Sequence, residues 1–294
     1  MTTAIEKLTS TPVGKLLYKT VQPFVHGARH LAHPGIPNEQ TITKVAYRGR
    51  TISIRHRRWS ASDVLAIQQC FEKQQYDMPA GAHGEQIQRV YRQIIASGRK
   101  PLIIDCGANI GASITWFAAR YPEAHIVGIE PAPDNFEFLQ LNCAGLDVDL
   151  RQAGIGPEDG HAYIGGSGGE MGYCITDSGI PVDIVSIGTL LASKPESQYA
   201  PFLLKLDIEG SEKSLFAGDC TSINHFPLII LEPHDWAFPG QLCSRGFFRF
   251  HVAAGRDFCM NEENVGSIAL EGPLSDPGFA DAAAADNEAA GRSR

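Results

Sequence analysis

The sequence predicts an α/β fold built on a doubly wound, mostly parallel sheet. Short apolar runs at 102–104, 126–129, 202–206 and 228–231 have the length and composition of strands buried on both faces. Helical patterns over 112–120 and from 133 through Cys143 alternate with them, which is the order of a parallel sheet with crossover helices. The runs end at Asp105, Glu130, Asp207 and Glu232, so four acids are delivered to the edge where open α/β sheets bind ligands.

Taken in order, residues 1–40 form a leader, partly helical or disordered. Its loose helical spacing (Ile5, Leu8, Leu16, Leu17, Val21, Phe24) is broken by Pro23, Gly27, Pro34 and Pro37. Residues 41–100 are expected to be a hairpin and two helices packed on the core. Alternation around Val45, Tyr47, Ile52 and Ile54 places the hairpin turn near Gly49. Helix caps at 60–63 precede Val64, Ile67, Cys70 and Phe71, and a second apolar face (Ile87, Val90, Tyr91, Ile94, Ile95) stops at Gly98.

Residues 101–270 form the ligand-binding domain. Beyond its first two strands, a third is expected at 148–150, ending at Ala153. The Gly-rich stretch 155–181 reads as a hairpin or a mobile loop beside the site. A short strand at 182–187, helices at 188–193 and 211–216, and an antiparallel pair of strands at 247–252 and 265–270 complete the domain. Residues 271–294 read as a disordered tail.

Charge and cysteine content narrow the function. The net charge is −8, but residues 1–60 hold ten basic and two acidic residues, and the remaining 234 hold 15 against 31. An acidic catalytic region repels phosphates and excludes nucleic acid as substrate. The basic leader is open to a partner subunit, an anionic membrane surface, the domain's own acidic face or simple solvation. No apolar run is long enough for a membrane span, and no secretory signal is visible. Seven cysteines without a C-x-x-C pair suggest reduced thiols in a cytoplasm. Nothing in the sequence specifies an oligomeric state.

The turn at 105–111 reads D-C-G-A-N-I-G, not the G-x-G-x-x-G of a dinucleotide site. Its glycines allow close backbone approach, and free N–H groups at the helix start favour a negative group. Asp105 would repel a pyrophosphate but suits a ligand with an ammonium beside its carboxylate. S-adenosylmethionine has both, plus a sulfonium. Glu130, ending the next strand, is placed to accept both ribose hydroxyls. The expected cofactor contacts are Asp105, Gly107, Ala108, Asn109, Gly111, Glu130, Pro131, Asn135, Ala153 and Asp207.

The strings IIDCGANIGASITWFAARYPEAHIVGIEPAPDNFEFLQLN, LLKLDIEGSE and IILEPHDW, in this order, resemble the FkbM-type S-adenosylmethionine-dependent methyltransferases. The resemblance extends over about residues 41–270. It implies a class I methyltransferase fold, Rossmann-like, with a seven-stranded sheet, one strand antiparallel, and helices on both faces. It also implies O-methylation of a hydroxyl on a glycan sugar or a natural product. Asp105, Gly107, Asn109 and Gly111 match the family's cofactor motif, and Glu130 its ribose acid. Asp207 to Gly210 match D-I-E-G, and Glu232 to Asp235 match E-x-H-D, with Pro233 at the variable position. Proline there removes an N–H and stiffens the turn that aims His234.

Methyl transfer is an in-line displacement that needs alignment and removal of one proton. The expected catalytic set is His234, Asp207 and Glu232. His234 is the first candidate base, oriented by Asp235 or Glu232, with Asp207 second; the competing role for His234 is a hydrogen-bonded structural residue. Glu209 is expected to cap or pair locally. Asp207, Glu232 and His234 are also ligand types for a divalent metal, but no tight ligand spacing supports one, and no metal is assigned. Two other classes compete: a nicotinamide-dependent oxidoreductase, which lacks its glycine fingerprint here, and a non-catalytic binding protein on the same fold.

Overall fold

A computed structural model describes residues 39–77, 81–166, 173–176 and 178–269. The expected leader, except for its last two residues, and the expected tail lie outside the described residues.

Strands β1 (Gln40–Tyr47) and β2 (Arg50–Arg57) form the hairpin, paired in continuous register from Gln40↔Arg57 to Tyr47↔Arg50. Its two-residue turn places Arg48 at φ +49° and Gly49 at +75°. Two left-handed residues match the twist of the flanking strands, and glycine takes one of them without a Cβ penalty. Helix α1 (Ala61–Phe71) follows, capped by the Ser60 hydroxyl, which accepts the Asp63 N–H at 3.1 Å. Helix α2 (Ala82–Ala96) buries Ile87, Val90, Tyr91 and Ile94, the face set by its apolar spacing.

The main sheet holds β3 (Lys100–Cys106), β4 (His125–Ile129), β5 (Val148–Arg151), β10 (Tyr199–Leu206), β11 (Leu228–Leu231), β12 (Asp257–Asn261) and β13 (Asn264–Ile268). Their order is β12-β13-β11-β10-β3-β4-β5. The five strands from β11 to β5 run parallel, while β13 is antiparallel to both its neighbours. Helices α3 (Ala112–Arg120) and α4 (Pro133–Asn142) connect β3 to β4 and β4 to β5. Two apolar clusters, one containing Ile103, Trp116 and Phe202 and the other Leu102, Leu204 and Phe247, form separate cores. The fold is the expected seven-stranded, mostly parallel α/β sheet with helices.

Chain order reverses beside β3: β4 and β5 lie on one side, β10 and β11 on the other. The crevice between the carboxyl ends of β3 and β10 is therefore the topological switch point, where this architecture binds ligands.

One segment differs from the sequence expectation. Residues 247–252 are not a strand but lie in helix α8 (Arg245–Ala253), and β13 pairs instead with β12 at 257–261. Aromatic residues suit either structure, but the spacing of Phe247 and His251, both buried, is helical. Of the two readings of the Gly-rich stretch the hairpin holds, as an antiparallel pair within a larger sheet. Strands β6 (Gly154–Gly156), β7 (Gly160–Gly166), β8 (Tyr173–Thr176) and β9 (Ile180–Ser186) form a second sheet, ordered β6-β9-β7-β8. Residues 167–172 and 177 lie outside the described residues. The connection to β10 includes α5 (Ile187–Ala192), while α6 (Glu212–Leu215) and α7 (Thr221–Asn224) lie between β10 and β11. Among the described residues no helix is long and apolar enough to cross a membrane.

Candidate functional site

A cleft of about 700 Å³, its open mouth included, lies over the switch point. Gly107, Asn109, Glu130, Pro131, Asn135, Ala153 and Asp207 line it, as do Glu209 and Ser211. Ile164 and Ile175 of the second sheet supply an apolar wall.

The turn after β3 is held from three directions. Gly107 N–H and Ala108 N–H both donate to Ile129 O, at 3.0 and 2.9 Å, and Gly111 N–H donates to Ala108 O at 2.8 Å. Asn109, in the left-handed region at φ +50°, donates its N–H to Glu130 Oε2 at 2.9 Å. These four amides, expected to be free for a ligand, are used inside the protein. The turn offers shape rather than an anion cradle, which fits a cofactor without phosphate.

Gly107 has φ +83°, and a Cβ there would lie 1.8 Å from Asp207 O. The glycine is thus required by the crossing of two strand ends, rather than by the space a cofactor would fill. Gly107→Ala should combine left-handed strain of about 1–3 kcal/mol with a backbone collision. Thermal unfolding should show a loss of about 5–10 °C. An unchanged melting temperature would mean that the two turns separate at no cost.

Asp105 does not line the cleft. It is fully buried beneath the turn, where it accepts the Ser113 hydroxyl at 2.5 Å and pairs with Lys205 Nζ at 3.0 Å. Lys205 also donates to Gly107 O at 2.8 Å and lies 3.4 Å from Asp207 Oδ2. Burial opposes its charge, but Asp105, then Tyr76 and Asp207, hold the ammonium well above its ordinary value. Its Nζ lies 5.5 Å from the centre of the Tyr76 ring. This lysine was missed in the sequence reading, although a lysine inside the apolar run FLLKL is a signal, because buried lysines are rare unless paired. Ala108 and Gly111 also lie behind the cleft lining. A Cβ on Gly111 would meet Leu139 and Cys143 of the α4 region, so this glycine serves helix packing.

Glu130 lies on the opposite wall, almost fully buried. Its Oε1 accepts Ala132 N–H at 3.0 Å and Asn135 Nδ2 at 3.3 Å, while Oε2 accepts Asn109 N–H. Burial outweighs these bonds and pushes its carboxyl up to about 7. Asn135 is in turn held by Arg57 of the hairpin, whose Nη2 donates to Asn135 Oδ1 at 2.7 Å. Arg57 makes a bidentate pair with buried Asp63, at 3.0 and 2.8 Å. A chain of contacts, Asp63–Arg57–Asn135–Glu130, therefore joins the N-terminal hairpin to the cleft. The sequence reading did not include Arg57, because its partner Asn135 is 78 positions away.

The loop after β10 and the end of β11 form the third part. One ligand atom from each of Asp207, Glu232 and His234 lies within 4.8 Å of the others. The structure thus brings the expected catalytic set together, and Asp207 is its member in the cleft lining. His234 Nδ1 bonds buried Glu212 Oε1 at 2.8 Å, while Nε2 lies 3.6 Å from Asp207 Oδ1 and 3.5 Å from Glu209 Oε2. The orienting group is therefore Glu212, and neither Asp235 nor Glu232 fills that role. Asp235 instead accepts the Ser244 N–H at 3.0 Å.

His234 is not the unperturbed histidine the sequence suggested. Burial pulls it down, but the Glu212 bond and the charges of Asp207, Glu212 and Glu209 raise it to about 10. An imidazolium cannot accept a proton at neutral pH. Glu209, by contrast, lines the cleft with φ +54°, and Gly210 follows at +92°. Consecutive left-handed residues bend the chain sharply after Asp207. Burial, then Asp207, push the Glu209 carboxyl up to about 8, so at neutral pH only its ionised minority can take a proton, and that fraction grows as the pH rises.

The chain is 42% identical over 48 residues to methyltransferase sdnD of Sordaria araneosa, matching 16% of this chain and 18% of that protein. It is 37% identical over 60 residues to methyltransferase 1 of Beauveria bassiana (strain ARSEF 2860), matching 19% of this chain and 24% of that protein. These matches span less than a quarter of either relative. The O-methyltransferase TomG from Streptomyces achromogenes, solved in complex with SAM, is 13% identical with a TM-score of 0.34, covering 71% of this chain and 90% of that one. The methyltransferase FkbM domain model matches residues 105–251, half of the chain, and the chain belongs to that family of methyltransferases.

Proposed function

We propose that the protein transfers a methyl group from S-adenosylmethionine to a hydroxyl oxygen of a small molecule or glycan, a sugar or a natural product being the acceptor class. S-adenosylmethionine is the methyl donor of this family, and it supplies an electrophilic methyl on a sulfonium. One observation carries the reading: a single cleft has the Glu130 carboxylate on one wall and the Asp207–Glu209 loop on the other.

The residues fit the donor. An ionised carboxylate has about four acceptor positions. Protein donors use three on Glu130, two on Oε1 and one on Oε2. Oε2 retains room for one ribose hydroxyl, and the long Asn135 contact can give way to a second. Pro131, Asn135 and Ala153 border the same wall, and Ile164 and Ile175 offer apolar surface. Asp105 supports the floor through Lys205 and Ser113 rather than reaching a ligand.

On the acceptor side, Glu209 is the proton acceptor in this reading. It lines the cleft two residues beyond Asp207, on a bend that only left-handed backbone produces. Its carboxylate takes the hydroxyl proton as the oxygen forms its bond to the methyl carbon, and the carbon–sulfur bond breaks with its electron pair left on sulfur. Asp207, Glu232 and His234 frame this end. The free thiols of Cys70, Cys106, Cys143, Cys220, Cys243 and Cys259 accord with a cytoplasmic setting.

Incubation with S-adenosylmethionine bearing a labelled methyl group, against a panel of hydroxylated sugars and natural products, tests the reaction. Mass spectrometry should find the label on an acceptor oxygen. Label on nitrogen or carbon would overturn the O-methyl assignment.

A further inference from the structure

Beside the Asp207 end of the cleft four carboxylates meet, two in its lining and two behind it. Asp207, Glu209, Glu212 and Glu232 surround one imidazole. The nearby ammonium of Lys205 pairs with Asp105, donates to Gly107 O and lies 3.4 Å from Asp207 Oδ2, so it reaches one of the four.

The geometry around His234 is specific. The side chain is 2% exposed, and Glu212, itself fully buried, holds Nδ1 at 2.8 Å. The ring is therefore fixed, with Nε2 presented to carboxylates at 3.5 and 3.6 Å. Those separations are too long for good hydrogen bonds. The 3.6 Å between His234 and Asp207 suits a gap shared by ligands of one cation: bonds of about 2.1 Å in an octahedron place neighbouring ligand atoms about 3 Å apart and opposite ones about 4 Å. The three candidate atoms fall within 4.8 Å of one another. A carboxylate on the far nitrogen of the imidazole is also the support that metal-binding histidines use, since it fixes the ring and raises its basicity.

We propose that Asp207, Glu232 and His234 are the protein ligands of a divalent cation beside the Asp207 end of the cleft, the cation taking the place of the proton on His234 Nε2 and releasing it to solvent, with Glu212 as the residue that positions the histidine. Two carboxylates and one imidazole suit Mn²⁺ or Mg²⁺ better than a thiophilic metal. The proposal deepens the methyl-transfer reading and rests on it for the cation's role. A bound cation polarises the acceptor hydroxyl as a Lewis acid, and Glu209, left outside the ligand set, receives the proton. Deprotonation then costs less for an alcohol whose own pKa is far above neutrality. Among the described residues that line the cleft, none is a lysine or arginine.

The test is Mn²⁺ titration of the chelator-treated full chain, without donor or acceptor, followed by electron paramagnetic resonance of the free ion. One Mn²⁺ should bind per chain, and Mg²⁺ should compete for it. Glu232→Gln, a half-buried and nearly isosteric change, should raise Kd by more than about 10-fold, and Glu212→Gln by about 10–100-fold, with circular dichroism confirming that both variants fold. Absence of saturable Mn²⁺ binding, or an unchanged Kd in folded Glu232→Gln, would overturn the site. Calorimetric titration of the same samples with S-adenosylhomocysteine separates the two readings. Failure of that ligand to bind while Mn²⁺ binds would sink the methyl-transfer reading and leave the cation site standing.

Discussion

Glu130→Ala should weaken binding of S-adenosylhomocysteine by about 100-fold, measured by calorimetry. The variant loses at least one charge-assisted hydrogen bond to ribose, worth about 1.5–3 kcal/mol. It also removes the group that holds Asn109 N–H, Ala132 N–H and Asn135 Nδ2, so the turn and the α4 start lose their shared acceptor. The affinity of the unmodified protein should itself depend on pH. The ligand-free carboxyl sits near 7, and only its ionised form accepts ribose hydroxyls on both oxygens. Binding favours the charged form, lowers the pKa of the complex, and is therefore strongest above pH 7. Affinity should fall by up to about tenfold per pH unit below that point. A flat pH profile together with unchanged binding in the variant would remove Glu130 from the cofactor site.

Glu209→Gln should lower single-turnover methyl transfer by about 10²–10⁴-fold, the range for loss of a general base, while S-adenosylhomocysteine affinity stays within about twofold. Glutamine keeps the size of the side chain and occupies the same bend, so the variant removes proton affinity and little else. Transfer at near-normal rate would move the proton to Asp207. The distinction matters because His234, the residue whose unperturbed chemistry suits the task, is withdrawn from it by its surroundings. A buried imidazole bonded to Glu212 and faced by Asp207 and Glu209 is stabilised as a cation.

The N-terminal hairpin belongs to the same functional unit. Arg57 reaches from β2 to Asn135, and Asn142 joins Arg55 on β2 to Ile110 on the turn, with contacts of 2.7–2.8 Å. The matched family domain begins at residue 105, yet two residues that fix the Glu130 wall and the turn are held from outside it.

The sequence by itself determined the sheet, its strand–helix alternation and the acids at its edge. The physical reason is that a strand buried on both faces has to be a continuous apolar run, and a ligand edge has to end such runs with polar residues. The hairpin was legible because Arg48-Gly49 sits between alternating segments, and α1 because Ser60 precedes its apolar face. Tertiary structure alone decided which acid faces the cleft. Asp105 and Glu130 end adjacent strands in the same way, yet one is sealed beneath a turn by Lys205 and Ser113 and the other borders the cavity. It also decided the protonation of His234 and the prominence of Glu209, since both depend on charges 22 and 25 positions away in the chain that meet only when β10 and β11 pair. The reassignment of residues 247–252 from strand to helix has the same origin. Phe247 and His251 find a buried face only after β13 has taken the place beside β11.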